Sequence, residues 1–316
     1  MAAHGGAARR GRTAGNAAVS ATDAIVLSGL RKSYHGRPAV AGVEFTVHRG
    51  EVFALLGPNG AGKTTTVEIL AGHRRRDAGT VSVLGVDPAD GGPAWRARIG
   101  VVLQRADDLT YSNVLSVRDW VRSVAAYYPT PRSPDEVIEL VGLADQSRVR
   151  AAALSGGQRR RLDVALGIVG RPELLFLDEP TTGFDPEARV RFWSLLAQLA
   201  RDGTTILLTT HYLDEAERLA DRVAVMTGGR IVAIATPQTL GGRAAATATV
   251  RWTGPDGTQT LRTENPTAVV RELADRFGGV VPELVVHRPS LEDTYLEMIG
   301  QSSSDSASPP VTGGPA

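Results

Sequence analysis

The sequence has no cysteine, which excludes disulfide bonds and thiol chemistry from its fold and its function. It also lacks a marked excess of either charge, since 35 lysines and arginines face 34 aspartates and glutamates. Proteins that bind nucleic acid usually carry a basic excess or stripe, so this balance argues against a nucleic-acid partner. Hydrophobic residues make up 42% of the 316 positions, which is enough for a sizeable core in roughly two domains.

Long apolar runs are missing as well. The strongest runs, residues 204–210 and 174–177, have the length of strands, whereas a helix that spans a bilayer needs about 20 apolar residues. Residues 1–23 contain two adjacent arginines but no apolar stretch after them, which predicts a disordered tail rather than a signal peptide. Residues 301–316 are rich in serine, proline and glycine, which predicts a second disordered tail.

A phosphate-binding loop is the clearest motif. A short apolar run at residues 52–56, which predicts a buried strand, leads into a match to G-x-x-x-x-G-K-[ST]. In such a loop the backbone N–H groups surround phosphate oxygens, the lysine reaches the β and γ phosphates, and the following hydroxyl binds Mg²⁺. The residues of the loop and of the helix start are Gly57, Pro58, Asn59, Gly60, Ala61, Gly62, Lys63, Thr64 and Thr65.

Two other strand-like runs end in polar residues. One leads into Asp178 and Glu179, and the other leads into His211. Apolar runs without alternation are typical of a parallel sheet covered on both faces, where ligands lie beyond the carboxyl ends of the strands. An aspartate there can hold Mg²⁺ through water, the adjacent glutamate can polarise the attacking water, and the histidine can contact the γ phosphate. Solvated carboxylates and a structural histidine are the alternatives.

The segment ALSGGQRRR at residues 153–161 predicts a second anion site. Two glycines follow Ser155 at an expected helix start, where N–H groups and the helix dipole favour an anion. Upstream, alternation in residues 43–52 predicts antiparallel strands, and Tyr34 precedes a turn. An exposed tyrosine there could stack on adenine, although a lone tyrosine is more often structural.

Taken together, these motifs resemble the nucleotide-binding domain of ABC transporters. The ordered series is Tyr34, GPNGAGKTT, Gln104 after IGVVL, LSGGQ, LFLDEP, TGFD and TTH, and it extends over residues 24–237. The resemblance implies an ATPase that binds ATP and Mg²⁺ and drives transport through a separate integral-membrane permease. It also implies an α/β fold: a P-loop NTPase core with an antiparallel β subdomain, a helical subdomain and a small C-terminal α+β accessory domain.

In that family two subunits form a head-to-tail homodimer, and each ATP lies between the phosphate loop of one subunit and the LSGGQ segment of the other. The resemblance therefore implies that one segment contacts the nucleotide across the interface, namely Ser155, Gly156, Gly157 and Gln158. Asp185 would also cross the interface, and Tyr34 would be the adenine platform.

The resemblance also assigns chemical roles. The implied catalytic residues are Glu179, His211 and Gln104. The implied Mg²⁺ ligands are Thr64, Asp178 and again Gln104, which could instead bind the attacking water. Phe184 replaces the more usual leucine of its loop, and since its bulk is similar no loss of activity is expected.

The expected nucleotide-binding domain covers residues 24–240, with its helical subdomain at about 105–165. Two capped helices are predicted there, with Ser116 and Ser133 as caps. In the family this region receives a helix of the membrane subunit, and Leu109 and Tyr111 are candidate contacts, with a local core role equally open. The run Arg159–Arg161 is interpreted as a solvated helix face.

The expected accessory domain covers residues 241–300. Its pattern predicts a hairpin across residues 255–257, an amphipathic helix, a strand, and a final helix that begins after Ser290 and ends at Gly300. It is similar to the accessory domain of drug-export and antibiotic-export ATPases of the daunorubicin-resistance type. A packing role and a role in dimerisation or regulation stay open.

The leading hypothesis is the ATP-hydrolysing subunit of a bacterial ABC exporter for a drug, antibiotic or similar amphipathic compound. Such a subunit is peripheral, at the cytoplasmic face of the cell membrane. A soluble ABC ATPase that acts on DNA or ribosomes is the first alternative, but it normally has a long coiled-coil insertion or two cassettes. An ATP-dependent regulatory module that binds a membrane protein without transport is the second.

Overall fold

A computed structural model describes residues 20–103, 114–245, 247–288 and 290–304. Most of both expected tails lies outside the described residues, and so do Gln104, Leu109 and Tyr111.

The described strands are β1 (Asp23–Tyr34), β2 (Arg37–His48), β3 (Val52–Leu56), β4 (Ala78–Val83), β5 (Ile99–Val102), β6 (Leu174–Asp178), β7 (Thr205–Thr210), β8 (Arg222–Thr227), β9 (Arg230–Ala235), β10 (Ala248–Gly254), β11 (Gly257–Thr263) and β12 (Val285–His287). The described helices are α1 (Lys63–Leu70), α2 (Pro93–Arg96), α3 (Val117–Ala125), α4 (Pro134–Leu140), α5 (Gly156–Ile168), α6 (Pro186–Arg201), α7 (Leu213–Leu219), α8 (Pro266–Arg276) and α9 (Leu291–Ser304).

A six-stranded sheet forms the centre of the fold, with the order β5-β6-β7-β3-β8-β9. The first five strands in this order pair in parallel, and β9 is antiparallel to β8. The strands β6, β7 and β3 are consecutive neighbours, so the segments that follow them emerge side by side at one edge of the sheet.

The central strands are buried on both faces, as their unbroken apolar sequences predict. Alternate residues of one strand point to opposite faces, so β3 contributes to two separate cores. Its Ala54 and Leu56 pack in the core shared with helices α3 to α6. Its Phe53 and Leu55 pack in the core shared with α1 and the antiparallel sheet. The resulting layered α/β arrangement confirms the predicted fold class.

The antiparallel sheet has the order β2-β1-β4, and it covers the second core. Its β1–β2 turn is at His35 and Gly36, which both have positive φ angles of 48° and 77°. Such a pair matches the right-handed twist of the two strands. The turn places Tyr34 at the tip of this hairpin.

The helical region contains α3, α4 and α5, which pack on one another through Val121, Val137, Ile138 and Leu162 in the first core. Ser116 caps α3 by accepting a hydrogen bond from the N–H of Asp119, as predicted. Ser133 occupies the N-cap position of α4, as predicted. Its hydroxyl makes no cap hydrogen bond, and Pro134 begins that helix with a φ angle already suited to it.

The third sheet has the order β11-β10-β12 and packs on α8 through Val250, Trp252 and Leu273. The last helix, α9, begins after Ser290, whose hydroxyl accepts a hydrogen bond from the N–H of Asp293 at 3.0 Å. It continues to Ser304, so the prediction that it ends at Gly300 is wrong. Its Leu291 and Tyr295 belong to the first core, so this helix packs back against the part of the chain that contains the six-stranded sheet.

None of the helices in the described part of the chain combines the length and the apolar character that crossing a bilayer requires.

Strand β5 and helix α5 approach each other without a layer of side chains between them. A Cβ atom built on Gly100 would lie 2.2 Å from the carbonyl oxygen of Gly167 and 2.9 Å from Cδ1 of Leu175. Only glycine fits at this position, because the nearest atom belongs to backbone that is held by the helix and cannot move away cheaply.

We therefore expect Gly100→Ala to lower the free energy of unfolding by about 1–3 kcal/mol, the usual effect of adding a methyl group to a filled core. Chemical denaturation of the purified protein measures this. The matched control is Gly92→Ala, because Gly92 is exposed and a Cβ there would meet nothing within 4 Å. Equal stabilities of the two variants would contradict the close approach.

Candidate functional site

The phosphate loop connects β3 to α1, and its geometry depends on glycine. Gly62 has a φ angle of 103°, and a Cβ on it would lie 2.3 Å from the carbonyl oxygen of Ala39 in β2. The β8–β9 turn braces the loop from the other side, since the N–H of Gly229 donates to the carbonyl of Ala61 at 3.1 Å. The loop is therefore fixed between the six-stranded sheet and the β2-β1-β4 sheet.

Lys63 is the first residue of α1, and its side chain turns back into the loop. Its Nζ donates to the carbonyl oxygens of Gly57 at 2.7 Å and of Pro58 at 3.1 Å. The side chain is 4% exposed, so a buried ammonium lies where the motif predicts the phosphates to bind.

Glu179 follows β6 in an unusual backbone conformation. Its φ angle is 48°, and a non-glycine residue in this left-handed region typically costs about 1–3 kcal/mol. Its N–H donates to both the hydroxyl and the carbonyl of Thr209 in the neighbouring strand, at 3.0 and 3.1 Å. The conformation turns the side chain away from the strand direction and aims it towards the phosphate loop.

Side chains from the segments that follow β3, β6 and β7 meet at the Glu179 carboxylate. Its Oε1 lies 3.4 Å from Nζ of Lys63 and 3.3 Å from Nδ1 of His211. Glu179 is 6% exposed at its side chain, whereas His211 is about one third exposed. The structure thus brings together three residues that separate motifs singled out, and their chemical roles stay a prediction.

Asp178, the last residue of β6, is fully buried. Its Oδ1 accepts a hydrogen bond from the hydroxyl of Thr209 at 2.5 Å, and its Oδ2 has no hydrogen-bond partner of standard geometry among the described residues. Burial raises the pKa of this carboxyl, while the hydroxyls of Thr209 and Thr64 act in the opposite direction.

This arrangement fits a small hard cation. Mg²⁺ prefers a few protein oxygens and keeps water and phosphate oxygens as its other ligands. Thr64 and the unsatisfied Oδ2 of Asp178 supply such oxygens beside the phosphate loop. In the described part of the chain no three histidine, aspartate or glutamate side chains form a metal cluster.

The LSGGQ segment begins α5 with a complete capping box. The hydroxyl of Ser155 accepts from the N–H of Gln158 at 3.3 Å, and the side chain of Gln158 accepts from the N–H of Ser155 at 2.9 Å. Ser155 and Gly156 are exposed, and a Cβ on Gly156 or Gly157 would meet nothing within 4 Å. The helix start is thus open to a ligand from outside the subunit.

Tyr34 is half-buried, and its ring lies against two cations. Nζ of Lys32 is 5.7 Å and the guanidinium carbon of Arg74 is 5.2 Å from the ring centroid. Arg74 follows α1, so the hairpin tip lies near the end of the helix that the phosphate loop begins. A planar base could join this stack, and its role as the adenine platform stays a prediction.

Asp185 is exposed and caps α6, because its Oδ1 accepts from the N–H of Ala188 at 2.7 Å. This backbone hydrogen bond lowers the pKa of Asp185. Its neighbour Phe184 is buried and packs edge-on against Phe192, with ring centroids 5.6 Å apart. The phenylalanine is therefore part of the core, and Asp185 stays on the surface, where a partner could reach it.

The interpretation of Arg159–Arg161 as a solvated helix face holds for the exposed Arg159 but is wrong for Arg160. Arg160 is half-buried and donates to backbone carbonyls of Leu103, Asp178 and Pro180. The pattern of three consecutive arginines gives no signal for this, because the partners are main-chain atoms of distant segments.

Glu215 on α7 is a second residue that the sequence motifs did not single out. It has no exposed surface, and its Oε1 accepts from the indole N–H of Trp193 at 3.3 Å. Burial raises the pKa of its carboxyl, and the nearby polar groups of Thr210, Trp193 and Thr181 oppose this effect. Thr210 precedes His211 and Thr181 follows Glu179 by two positions, so Glu215 lies behind both segments of the site.

Comparison with known proteins places this geometry in a family. A family model described as "ABC transporter" matches residues 40–182. The chain is 37% identical over 308 residues to the daunorubicin resistance ATP-binding protein DrrA3 of Streptomyces coeruleorubidus, with 89% of this chain and 97% of the relative covered. It is 41% identical over 225 residues to the Nod factor export ATP-binding protein I of Ralstonia nicotianae, with 70% of each covered.

Two solved structures show the same fold. One is an ATP-binding subunit of an ABC transporter, with a TM-score of 0.65, 23% identity, and 87% of this chain and 99% of that chain covered. The other is a dimeric ATP-binding cassette in a post-hydrolysis state bound to ADP and Pi, with a TM-score of 0.61, 22% identity, and 67% and 98% covered.

The buried carboxyl of Glu215 predicts a pH-dependent stability. A carboxyl whose pKa is raised in the folded state stabilises the fold fully below its unfolded value of about 4.3, and that contribution is lost as the pH rises through the folded value. Glu215→Gln keeps groups that can bond to Trp193 and the two threonines but cannot ionise. We therefore expect its Tm to exceed that of the unsubstituted protein at pH 8, by about 2–4 °C, and the difference to shrink towards pH 5.

Thermal unfolding followed by circular dichroism between pH 5 and pH 8 measures this difference. Glu272→Gln is the matched control, since Glu272 is exposed on α8. A Tm difference for Glu215→Gln that stayed constant over this range would show that the buried carboxyl does not titrate as described.

Proposed function

The chain belongs to the ABC transporter family of ATP-binding subunits, in the branch of the daunorubicin-resistance proteins, and on that basis we propose that it hydrolyses ATP to power export through a separate membrane permease. The observation that carries the proposal is the meeting of Lys63, Glu179 and His211 at one carboxylate oxygen. These three residues place a phosphate-binding cation, a base and an orienting group within contact of one another.

Hydrolysis converts ATP and water into ADP and phosphate, and Glu179 is the proposed base. Phosphoryl transfer depends mainly on positioning and on charge neutralisation, with an oriented water as nucleophile. Glu179 would orient this water and accept its proton, while Lys63 would bind the β and γ phosphates. His211, which lies on the other side of the same Oε1, would contact the γ phosphate and hold the carboxylate in place.

Thr64 and Asp178 are the proposed Mg²⁺ ligands, with Gln104 as a further one outside the described residues. Bound there, Mg²⁺ would neutralise charge on the phosphate oxygens. The buried carboxylate of Asp178 is suited to this role because a cation would offset the cost of its burial.

A second subunit would complete each nucleotide site. ATP-binding subunits of this family dimerise, and a related fold has been solved as a dimer. Ser155 and the two glycines after it form an exposed helix start with free space around it, which suits a phosphate held by another copy of the chain. We propose the head-to-tail homodimer with two shared ATP molecules, in which Asp185 reaches across the interface.

A groove of about 420 Å³ lies between the core sheet and the helical region. Its floor is apolar and includes Val101, Leu103 and Leu166. Two basic or titratable residues, His73 and Arg96, lie at its edge. We propose that a cytoplasmic helix of the permease binds here, because Leu103 immediately precedes Gln104. Movement of that helix would thereby be linked to the nucleotide site, with the subunit held at the cytoplasmic face of the membrane.

The cargo is proposed from the relatives alone. Their names refer to resistance to daunorubicin and to export of Nod factors. Since the daunorubicin-resistance relative covers 89% of the chain, an exported drug, antibiotic or similar amphipathic molecule is the favoured class. The alternative of a soluble ATPase that acts on DNA or ribosomes is not favoured.

We expect Glu179→Gln to lower the turnover number for ATP by at least about 10²-fold while ATP affinity is retained, because a positioned base typically contributes that much. In light scattering, this variant should form an ATP-dependent dimer that persists. Lys63→Ala should lose ATP binding, and Glu272→Gln on exposed α8 should behave as the unsubstituted chain. Hydrolysis at the normal rate by Glu179→Gln would remove this residue from the proposed role.

The membrane coupling is tested by co-expression with the multi-span membrane protein of a neighbouring gene. The double substitution His73→Glu, Arg96→Glu changes two exposed residues at the groove edge, and we expect it to abolish co-purification while ATPase activity of the isolated chain stays within about 2-fold. Arg271→Glu, Arg276→Glu on α8 is the control and should leave co-purification intact. Stimulation of ATPase activity by an amphipathic drug in the purified complex would then identify the cargo.

A further inference from the structure

Arg160 joins the helix that begins at the LSGGQ segment to the strand ends of the nucleotide site. It lies five positions after Ser155, about one and a half turns into α5. Its Nη1 donates to the carbonyl of Leu103 at 2.5 Å, its Nη2 to the carbonyl of Asp178 at 2.5 Å, and its Nε to the carbonyl of Pro180 at 3.4 Å.

The two adjacent arginines make different contacts. Nε of Arg159 donates to the carbonyl of Leu154, at the start of its own helix. Nη1 of Arg161 donates to the carbonyl of Gly142 after α4 at 3.4 Å, and its guanidinium lies over the ring of Phe184. Within this run, the hydrogen bonds to the ends of β5 and β6 belong to Arg160.

The carbonyls that Arg160 binds lie on both sides of Glu179. Asp178 precedes Glu179 and Pro180 follows it, so one guanidinium holds the main chain before and after the strained residue. A non-glycine residue persists in the left-handed region only where its surroundings fix it firmly. Thr209 fixes the N–H of Glu179, and Arg160 fixes the two flanking carbonyls.

The chemistry of arginine suits this task. Its planar guanidinium carries five N–H donors in a rigid fork, and bonds from a charged donor are roughly twice as strong as neutral ones. A lysine ammonium at the same position is a compact point charge and cannot reproduce the planar fork.

We propose that Arg160 is a positioning residue that couples the two ATP sites of the dimer, an inference that rests on the function proposed above. In the head-to-tail dimer, the Ser155 end of α5 would contact the ATP held by the partner's phosphate loop. Arg160 of the same helix holds the main chain around Glu179, which acts on the ATP of its own subunit. Binding at one site therefore sets the position of the base at the other.

Two variants measure the effect on steady-state hydrolysis. For Arg160→Ala and for Arg160→Lys we expect the turnover number to fall about 10–10²-fold, with ATP affinity changed less than about 3-fold, because a small misplacement of a reacting group costs this much. The Hill coefficient for ATP should fall to about 1 from a value between 1 and 2, since the coupling between the two sites is lost. Arg159→Ala, whose contact is confined to its own helix start, should keep the turnover number and the Hill coefficient.

A mixing experiment tests whether Arg160 acts on the carboxylate of its own subunit. In the first mixture, limiting Arg160→Ala chains meet an excess of Glu179→Gln chains. In the second, limiting unsubstituted chains meet an excess of chains that carry both substitutions. The excess chain cannot hydrolyse ATP in either case, and each mixed dimer contains one copy of each substitution and one intact carboxylate.

The proposal expects the second mixture to hydrolyse ATP at least about 10-fold faster, because there the intact carboxylate belongs to the chain that keeps its Arg160. Equal rates in the two mixtures, or a normal turnover number for Arg160→Ala, would overturn the coupling role while the strong loss in Glu179→Gln still supported the proposed function. If Arg160→Ala does not fold, judged by circular dichroism, Arg160→Lys takes its place in both mixtures. An unsubstituted chain that failed to hydrolyse ATP would instead overturn the proposed function itself.

Discussion

Lys63 and Glu179 bring opposite charges to within 3.4 Å of each other in a place that water hardly reaches. Neither charge could be buried there alone, because an isolated ion in a protein interior carries a large desolvation cost. The sheet order makes the contact possible, since β6, β7 and β3 are neighbours and end at the same edge. The fold therefore holds two charges that attract each other directly beside the phosphate loop.

The surroundings of this pair are arranged to keep it in place. The phosphate loop is fixed by the close approach of Gly62 to β2 and by the β8–β9 turn. The main chain at Glu179 is held by Thr209 in the adjacent strand and by Arg160 from α5. A buried carboxyl at Glu215 lies behind the same segments. A site of this kind is built on the ends of rigid elements, which keeps reacting groups within small tolerances.

The parts of the site that are continuous in sequence could be predicted from the sequence. The strand at Val52–Leu56, the loop after it and the capped helix start at Ser155 each consist of adjacent residues whose spacing encodes their geometry. The carbonyl partners of Arg160 could not be predicted. Two of them lie 57 and 18 positions away, and because every residue has the same backbone carbonyl, the residue type does not indicate which carbonyls will be bound. The burial of Glu215 could not be predicted for a related reason, because its side chain is enclosed only when α6 and α7 pack together. The error at Gly300 was local, because helix ends depend on tertiary contacts as well as on propensity.

The contact between Gly100 and Gly167 has a mechanical consequence for α5. Because no side chain separates β5 from the helix at this point, the helix can tilt there but cannot slide away from the sheet. If α5 tilted about Gly167, the end of the helix at Ser155, about 18 Å away at 1.5 Å per residue, would move furthest. Arg160 lies between Gly167 and Ser155, so the same tilt would move it roughly half as far as Ser155. A displacement of Ser155 would therefore reach the ends of β5 and β6 in the same direction but with a smaller amplitude.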